Sequence, residues 1–248
     1  MISRRALVTL GLLGGAYWLS RNGDLWDRFG PLPDFTTDGM PDGFHKLVTS
    51  ADGLSAGLAD PFAGITVPGA EQSEPAFTLN AQNMDAVLFE TPARSDLVRL
   101  AYFTDYNCPY CRVLGKELNQ LGREEENIHI SWQEMPLLGE TSELGARAAI
   151  AARVQDAYLP FHRRLNTGIV RINRDYIRTI SDDLSLNFNQ LERDMFSAQT
   201  SAKLAQAMAV REAFGVIGTP FLLVERIAIN GRVSMPMLRR LIALERSA

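Results

Sequence analysis

The chain contains two cysteines in 248 residues, and they stand together as Cys108-Pro109-Tyr110-Cys111. The residues on either side of this pair constrain the fold. Leu97 to Phe103 is apolar and aromatic except for Arg99, and reads as a buried strand. Arg112 to Leu121 carries Val113, Leu114, Leu118 and Leu121 at helical spacing. Pro109 suits the first position of a helix, where its fixed φ fits and its missing N–H costs nothing. A strand that runs directly into such a helix delivers Cys108 to the helix N-terminus. There the unpaired N–H groups and the macrodipole favour a thiolate. The thiolate is the nucleophilic form of cysteine, and this setting lowers its pKa. With no third cysteine, the pair can open and close without the fold depending on a structural bridge.

A lone CxxC also reads as half of a zinc site or as chance. Structural zinc needs four ligands, cysteine or histidine at short spacings. The other soft ligands here, His45, His129 and His162, are scattered and form no such pair. Redox chemistry is therefore expected, with no metal and no cofactor.

Composition bears on location and partners. Ser3-Arg4-Arg5 precedes Ala6–Leu19, fourteen residues without charge, and Arg21 follows. That is the pattern of an export signal, weakly similar to a twin-arginine one, and it is shorter than the roughly twenty residues that cross a bilayer. Residues 1–21 are expected to be a cleaved signal peptide or a signal anchor, with residues 6–19 as the membrane tether. Without them the chain carries 22 basic and 29 acidic residues, a net charge of −7. An acidic body excludes nucleic acid as an expected partner. Export places the pair in a periplasmic or other extracytoplasmic compartment, where disulfide exchange is at home.

Residues 22–75 are rich in Gly, Pro, Asp and Ser, and read as a tether with irregular structure and a short helix near Gly43–Ser50. From residue 76 the pattern is globular. Expected strands are Phe77–Leu79, Ala86–Phe89, Leu97–Phe103, Ile128–Trp132, Phe221–Val224 and Ile227–Ile229. Expected helices are Glu143–Leu165, broken or bent at Pro160, then Asp175–Leu184, Gln190–Phe196 and Ala202–Phe214, the last ended by Gly215. A turn at Asn230-Gly231 and a final helix from Pro236 to Arg246, N-capped by Ser234, close the chain. The fold class is α/β, with a helical block over 141–214 set between strands.

Four stretches carry a resemblance to a known family. They are Tyr102-Phe103-Thr104-Asp105-Tyr106-Asn107-Cys108-Pro109-Tyr110-Cys111; Glu134-Met135-Pro136-Leu137-Leu138-Gly139 with Ser142 and Ala146–Ala152; Gln155-Asp156-Ala157-Tyr158 to Phe161-His162; and Phe214-Gly215-Val216-Ile217-Gly218-Thr219-Pro220-Phe221. Together they resemble the DsbA-like branch of the thioredoxin superfamily over residues 76–248. Glutaredoxins also carry Cys-Pro-Tyr-Cys, but 112 positions separate Cys108 from Pro220, and the helical block fills that excess. The resemblance implies a thioredoxin fold with an inserted helical subdomain and a protein thiol–disulfide oxidoreductase. It makes Cys108 the exposed nucleophile and Cys111 the buried resolving thiol, with Pro109 and Tyr110 tuning the thiolate. It makes Thr219-Pro220 a cis-proline loop facing the pair and pairing with an extended substrate. The implied partners are reduced or unfolded exported proteins and a membrane or soluble redox partner that recycles the enzyme.

The sequence departs from the family at one point. The superfamily often places a buried acid six residues before the nucleophile, and here that residue is Tyr102. Asp105 and Glu134 are the remaining acids near the pair. Asp105 reads as a solvated strand end or a proton-handling acid, and Glu134 as an open candidate for that role. His162 reads as a surface or packing residue, and His129 as facing solvent. An oxidase is the leading expectation. A disulfide isomerase or reductase shares the motif, and a membrane-tethered module holding metal between the two thiolates is the reading from a different class.

Overall fold

A computed structural model describes residues 27–48, 77–168 and 171–247. The expected signal over 1–21 and much of the expected tether lie outside the described residues. Among the described residues, six strands form one sheet: β1 (Phe35–Thr36), β2 (His45–Leu47), β3 (Val98–Thr104), β4 (Ile128–Glu134), β5 (Phe221–Val224) and β6 (Ile227–Asn230). Their spatial order is β1-β2-β6-β5-β3-β4. β3 runs parallel to β4 and antiparallel to β5, and β6 is antiparallel to β5 and parallel to β2.

β3 sits inside the sheet with all seven residues buried, as its apolar run requires. Its two faces feed two cores. Leu100 and Tyr102 join Leu114, Leu118 and Leu121 of α2 (Pro109–Glu124) and Leu238, Leu241 and Ile242 of α8 (Met235–Arg246). Ala101 and Phe103 face the other way, toward Val87, Leu88 and Phe89 of α1 (Met84–Phe89) and Val210 of α7 (Ala198–Ala213). Val113, one of the expected apolar positions of α2, is exposed because it lies on the helix face away from the sheet.

Arg99, the one charge in β3, is buried but fully partnered. Its guanidinium reaches Glu225 at 2.8 Å and Asp85 at 2.7 Å and stacks on the Phe89 ring at 4.2 Å. Those contacts anchor the end of β3 remote from the cysteines, and a buried arginine is tolerated only when it is paired this way.

Five helices separate β4 from β5: α3 (Glu140–Ala152), α4 (Tyr158–Thr167), α5 (Arg174–Asp183), α6 (Phe188–Met195) and α7. The single helix expected over 143–165 is two. The break falls at Asp156, which takes a left-handed φ of 54°, and not at Pro160. Pro160 lies in the first turn of α4, where its missing N–H leaves no bond unmade. α7 ends at Gly215 as expected, with φ 56° and Val216 N–H bonded to the Arg211 carbonyl, a Schellman closure. Ser234 caps α8 through the Met237 amide, also as expected.

Three short segments differ from expectation. Ala86–Phe89 is helical, because Asn80 and Asn83 exchange side-chain bonds that wind the chain into a turn before it. Phe77–Leu79 forms no strand, and its apolar side chains pack on the core from a loop. The region of 22–75 that the structure describes is more than a tether. β1 and β2 extend the sheet, with His45–Leu47 a strand where a helix was expected, and Arg240 of α8 bonds the carbonyls of Asp27 and Gly30. Parallel pairing with β6, His45 opposite Ile227 and Lys46 opposite Ala228, holds this segment extended.

α3 passes close over the start of the active-site loop. A Cβ at Gly145 would stand 3.0 Å from the Tyr106 ring and 2.9 Å from Ile172. Gly145→Ala should therefore lower stability by about 1–2 kcal/mol in urea unfolding, the overpacking cost exceeding the gain in helix propensity. A neutral or stabilising result would show that Tyr106 is not wedged there.

Candidate active site

The C-terminal end of β3 leads through Asp105, Tyr106 and Asn107 to α2. Cys108 is the N-cap of that helix, Pro109 the first helical residue and Cys111 the third. The Cys108 sulfur takes the place a cap oxygen usually holds. It accepts the Cys111 backbone N–H at 3.3 Å and its thiol donates to the Thr219 carbonyl at 3.2 Å. The Thr219–Pro220 bond is cis, and the loop that carries it lies directly against the pair.

Both thiols are free, and their settings differ. The neighbouring Cys111 side chain does most to hold the Cys108 pKa down at about 6, with the Cys111 and Tyr110 amides helping and burial opposing. Burial pushes Cys111 up, and the neighbouring Cys108 pushes it the same way. Cys108 is the group ionised at neutral pH, and Cys111 keeps its proton. One expectation needs correction. Cys108 is only 3% exposed, because its sulfur turns inward to the amide and to the Thr219 carbonyl. The exposed members of the motif are Pro109 and Tyr110.

Three exposed apolar side chains lie on the loops that meet at the pair. Tyr110 and Ile217 are each 63% exposed, and Leu138 is 51% exposed. They come from the motif itself, the cis-proline loop and the β4–α3 loop.

Neither acid contacts a thiol. Asp105 is buried, not solvated. Its Oδ1 accepts from Asn107 N–H (2.7 Å) and the Ser142 hydroxyl (2.6 Å), and its Oδ2 from Leu137 N–H (2.7 Å) and Leu138 N–H (2.9 Å). Asn107 adds a bond to Thr141 at 2.7 Å. The carboxylate thus ties the active-site loop to the loop that carries Leu138. Glu134 lies deeper. Its Oε1 accepts the hydroxyls of Tyr106 (2.8 Å) and Tyr158 (2.6 Å). His162 completes this cluster, with Nδ1 2.9 Å from Tyr106 and Nε2 2.8 Å from Asn166. It is buried and stacked on Tyr158. Tyr158 and His162 stand four apart on α4, facing Tyr106 and Glu134. Their i, i+4 spacing was visible in the sequence, but nothing there paired that helix face with β4.

The sequence matches the DSBA-like thioredoxin domain family over residues 99–243. The chain belongs to that family of thiol–disulfide oxidoreductases. Its fold is similar to a thioredoxin-like oxidoreductase from Silicibacter pomeroyi, at 34% identity and a TM-score of 0.61, over 66% of this chain and 98% of that one. It is similar also to alpha-DsbA2 from Wolbachia pipientis, described as a thiol-disulfide exchange protein (20%, TM-score 0.60, 66% and 92% covered). A periplasmic thioredoxin-like protein from Salmonella enterica serovar Typhimurium shares the fold as well (22%, TM-score 0.60, 69% and 100% covered). A curated relative, Na(+)/H(+) antiporter NhaA 3 from Salinispora tropica, is 23% identical over 137 residues. The match spans 54% of this chain and only 20% of that protein, so its transport activity is not carried over.

Two predictions follow from this geometry. In the dithiol protein, alkylation of Cys108 by iodoacetamide should rise with pH through a midpoint near 6 and then level off. Cys111→Ala should move that midpoint upward toward the ordinary thiol value, since the Cys111 thiol is the largest stabilising contact. An unmoved midpoint would assign the effect to the helix amides alone. Asp105→Asn sets an NH2 group against two backbone N–H donors, and should cost about 2–4 kcal/mol in chemical denaturation.

Proposed function

We propose that this chain is an extracytoplasmic protein thiol–disulfide oxidoreductase that acts as an oxidase of exported proteins. Cys108 exchanges with the substrate, and Cys111 is the resolving thiol. A substrate thiolate attacks Cys108 of the oxidised pair to form a mixed disulfide. A second substrate thiol then releases the reduced enzyme. Thr219-Pro220 offers backbone groups to an extended chain, and Pro109 and Tyr110 shape the approach. Tyr110, Leu138 and Ile217 suit the apolar side chains that an unfolded protein exposes. A redox partner returns the pair to the disulfide.

The setting of Cys108 carries the oxidase reading. Groups that stabilise its thiolate stabilise the reduced enzyme, and so make the disulfide a stronger oxidant. A thiol with a pKa of about 6 is mostly ionised at neutral pH. That is worth at most about 30 mV at pH 7, less what solvent screening removes. The arginine pair and apolar run at the N-terminus support export, as does the periplasmic description of a protein of similar fold. Among the described residues no helix is long and apolar enough to cross a membrane. Residues 6–19 supply the tether if the signal is retained. Residues 76–248 form the catalytic domain, with 141–214 as its helical insertion.

Equilibration of the pair with glutathione tests the direction. The expected reduction potential is about −180 mV or higher, and a value near about −270 mV would replace the oxidase reading with a reductase.

A further inference from the structure

Cys111 is fully buried one turn into α2, beside the Cys108 sulfur and the Tyr102 phenol. Tyr102 reaches it from β3 and commits its hydroxyl proton to the Cys111 carbonyl at 2.8 Å. Its ring is held edge-on to Trp132, 5.4 Å away. Thr104, two residues further on the same strand face, is buried with Oγ1 unpartnered, and Thr219 Oγ1 is likewise buried and unpartnered. The charged groups nearby are occupied. Asp105 serves its four donors, Glu134 is bonded by Tyr106 and Tyr158 and faces His162 at 3.6 Å, and Arg112 binds the carbonyls of Tyr106 and Gly168. Among the described residues no carboxylate or imidazole bonds to either thiol. Hydroxyls and a phenol do not take a proton near neutral pH. Burial and the adjacent Cys111 push the Tyr102 phenol further up still.

We propose that Tyr102, a phenol in the position from which a side chain could serve Cys111 as a base, leaves that thiol protonated once it has been displaced, so that the mixed disulfide on Cys108 is resolved by a second substrate thiol and seldom by Cys111. This rests on the assignment of Cys108 as the exchanging thiol. When a substrate thiolate attacks Cys108 of the oxidised pair, the Cys108–Cys111 bond breaks and its electron pair stays on Cys111, which takes up a proton from solvent. Two exits follow. In the productive one, a second substrate thiolate attacks the substrate sulfur of the mixed disulfide. A substrate disulfide forms, Cys108 departs as its thiolate, and two electrons have passed from substrate to enzyme. In the return exit, Cys111 loses its proton, attacks Cys108, re-forms the enzyme disulfide and expels the substrate thiolate. Only the return exit needs a base at Cys111. Tyr102 thus fills the position beside Cys111 with a group that takes no proton, and the return exit stays slow.

The test uses the full chain in its dithiol form with oxidised glutathione, by rapid quench. Attack by Cys108 releases one glutathione and leaves the other on the enzyme. Resolution by Cys111 releases the second. The second release is expected to rise about tenfold per pH unit from roughly pH 6 to 9 without levelling off, as loss of the proton to solvent requires. Tyr102→Phe should follow the same profile within about twofold. Tyr102→Glu, which supplies a base, should release the second glutathione at least about tenfold faster at pH 7 and reach a plateau. The inference is overturned by a second release in the natural enzyme that levels off below about pH 8, by a Tyr102→Phe variant slowed tenfold, or by a folded Tyr102→Glu variant with no acceleration. If Tyr102→Glu fails to fold, the other two profiles decide. Loss of the first release in Cys108→Ser is expected, and its persistence would defeat the exchange assignment itself. A low potential with a slow second release would defeat the oxidase reading alone.

Discussion

The bond from the Cys111 amide to the Cys108 sulfur fixes the chemistry of the site. An N-cap atom must accept an amide that the helix leaves unpaired. Sulfur accepts weakly as a thiol and well as a thiolate, so the end of α2 is best satisfied when Cys108 is charged. This requires that the cap be held still. β3, paired on both sides and buried along its length, gives the active-site loop a rigid origin. Arg99 with Glu225 and Asp85 pins its far end. At the near end the Tyr106 ring is trapped under Gly145, and the Tyr106 hydroxyl is bonded to Glu134.

The acidic side chains near the pair bond to groups that hold the architecture and to neither thiol. Asp105 lies three residues from Cys108, yet each of its oxygens takes two donors that hold loops together. Glu134 gathers two tyrosines and faces a histidine. Its Oε2 and the Asn166 Oδ1 are buried without partners, so the cluster joins β4, the active-site loop and α4 at some energetic cost. That cost is consistent with a need to register the helical block against the thioredoxin core, because the apolar contacts there, rich in alanine, specify position weakly.

What the sequence revealed and what it hid follow a physical division. The strand–helix junction at Cys108, the Thr219-Pro220 loop, the glycine stop of α7 and the serine cap of α8 were legible because each is local, set by a residue's own backbone or its neighbours. The four apolar residues of Ala86–Phe89 fit a strand or a short helix equally, and the deciding asparagines precede the run. Pro160 was taken as a breaker because proline breaks helix interiors, whereas one turn from a helix start it is harmless. The role of His45–Leu47 depends on β6, almost two hundred residues away. Asp105, which reads as a solvated strand end, is buried, and His162 takes the packing role of its two readings. A buried polar residue is distinguished from a surface one only by its partners, and theirs lie on other elements.

The Thr219 carbonyl links ionisation to substrate docking. When Cys108 is protonated this carbonyl accepts its proton, its one donor among the described residues. A thiolate has no proton to give, and two electron-rich atoms 3.2 Å apart repel. Ionisation of Cys108, or its capture in a mixed disulfide, therefore frees this carbonyl and favours a new donor there. In the proposed exchange, an extended substrate chain attached at the Cys108 sulfur would supply that donor from its backbone. The cis-proline loop thus has an acceptor to offer in every state of the sulfur except the protonated thiol. The apolar side chains of Tyr110 and Ile217 then need only weak selectivity, since the covalent bond supplies the proximity.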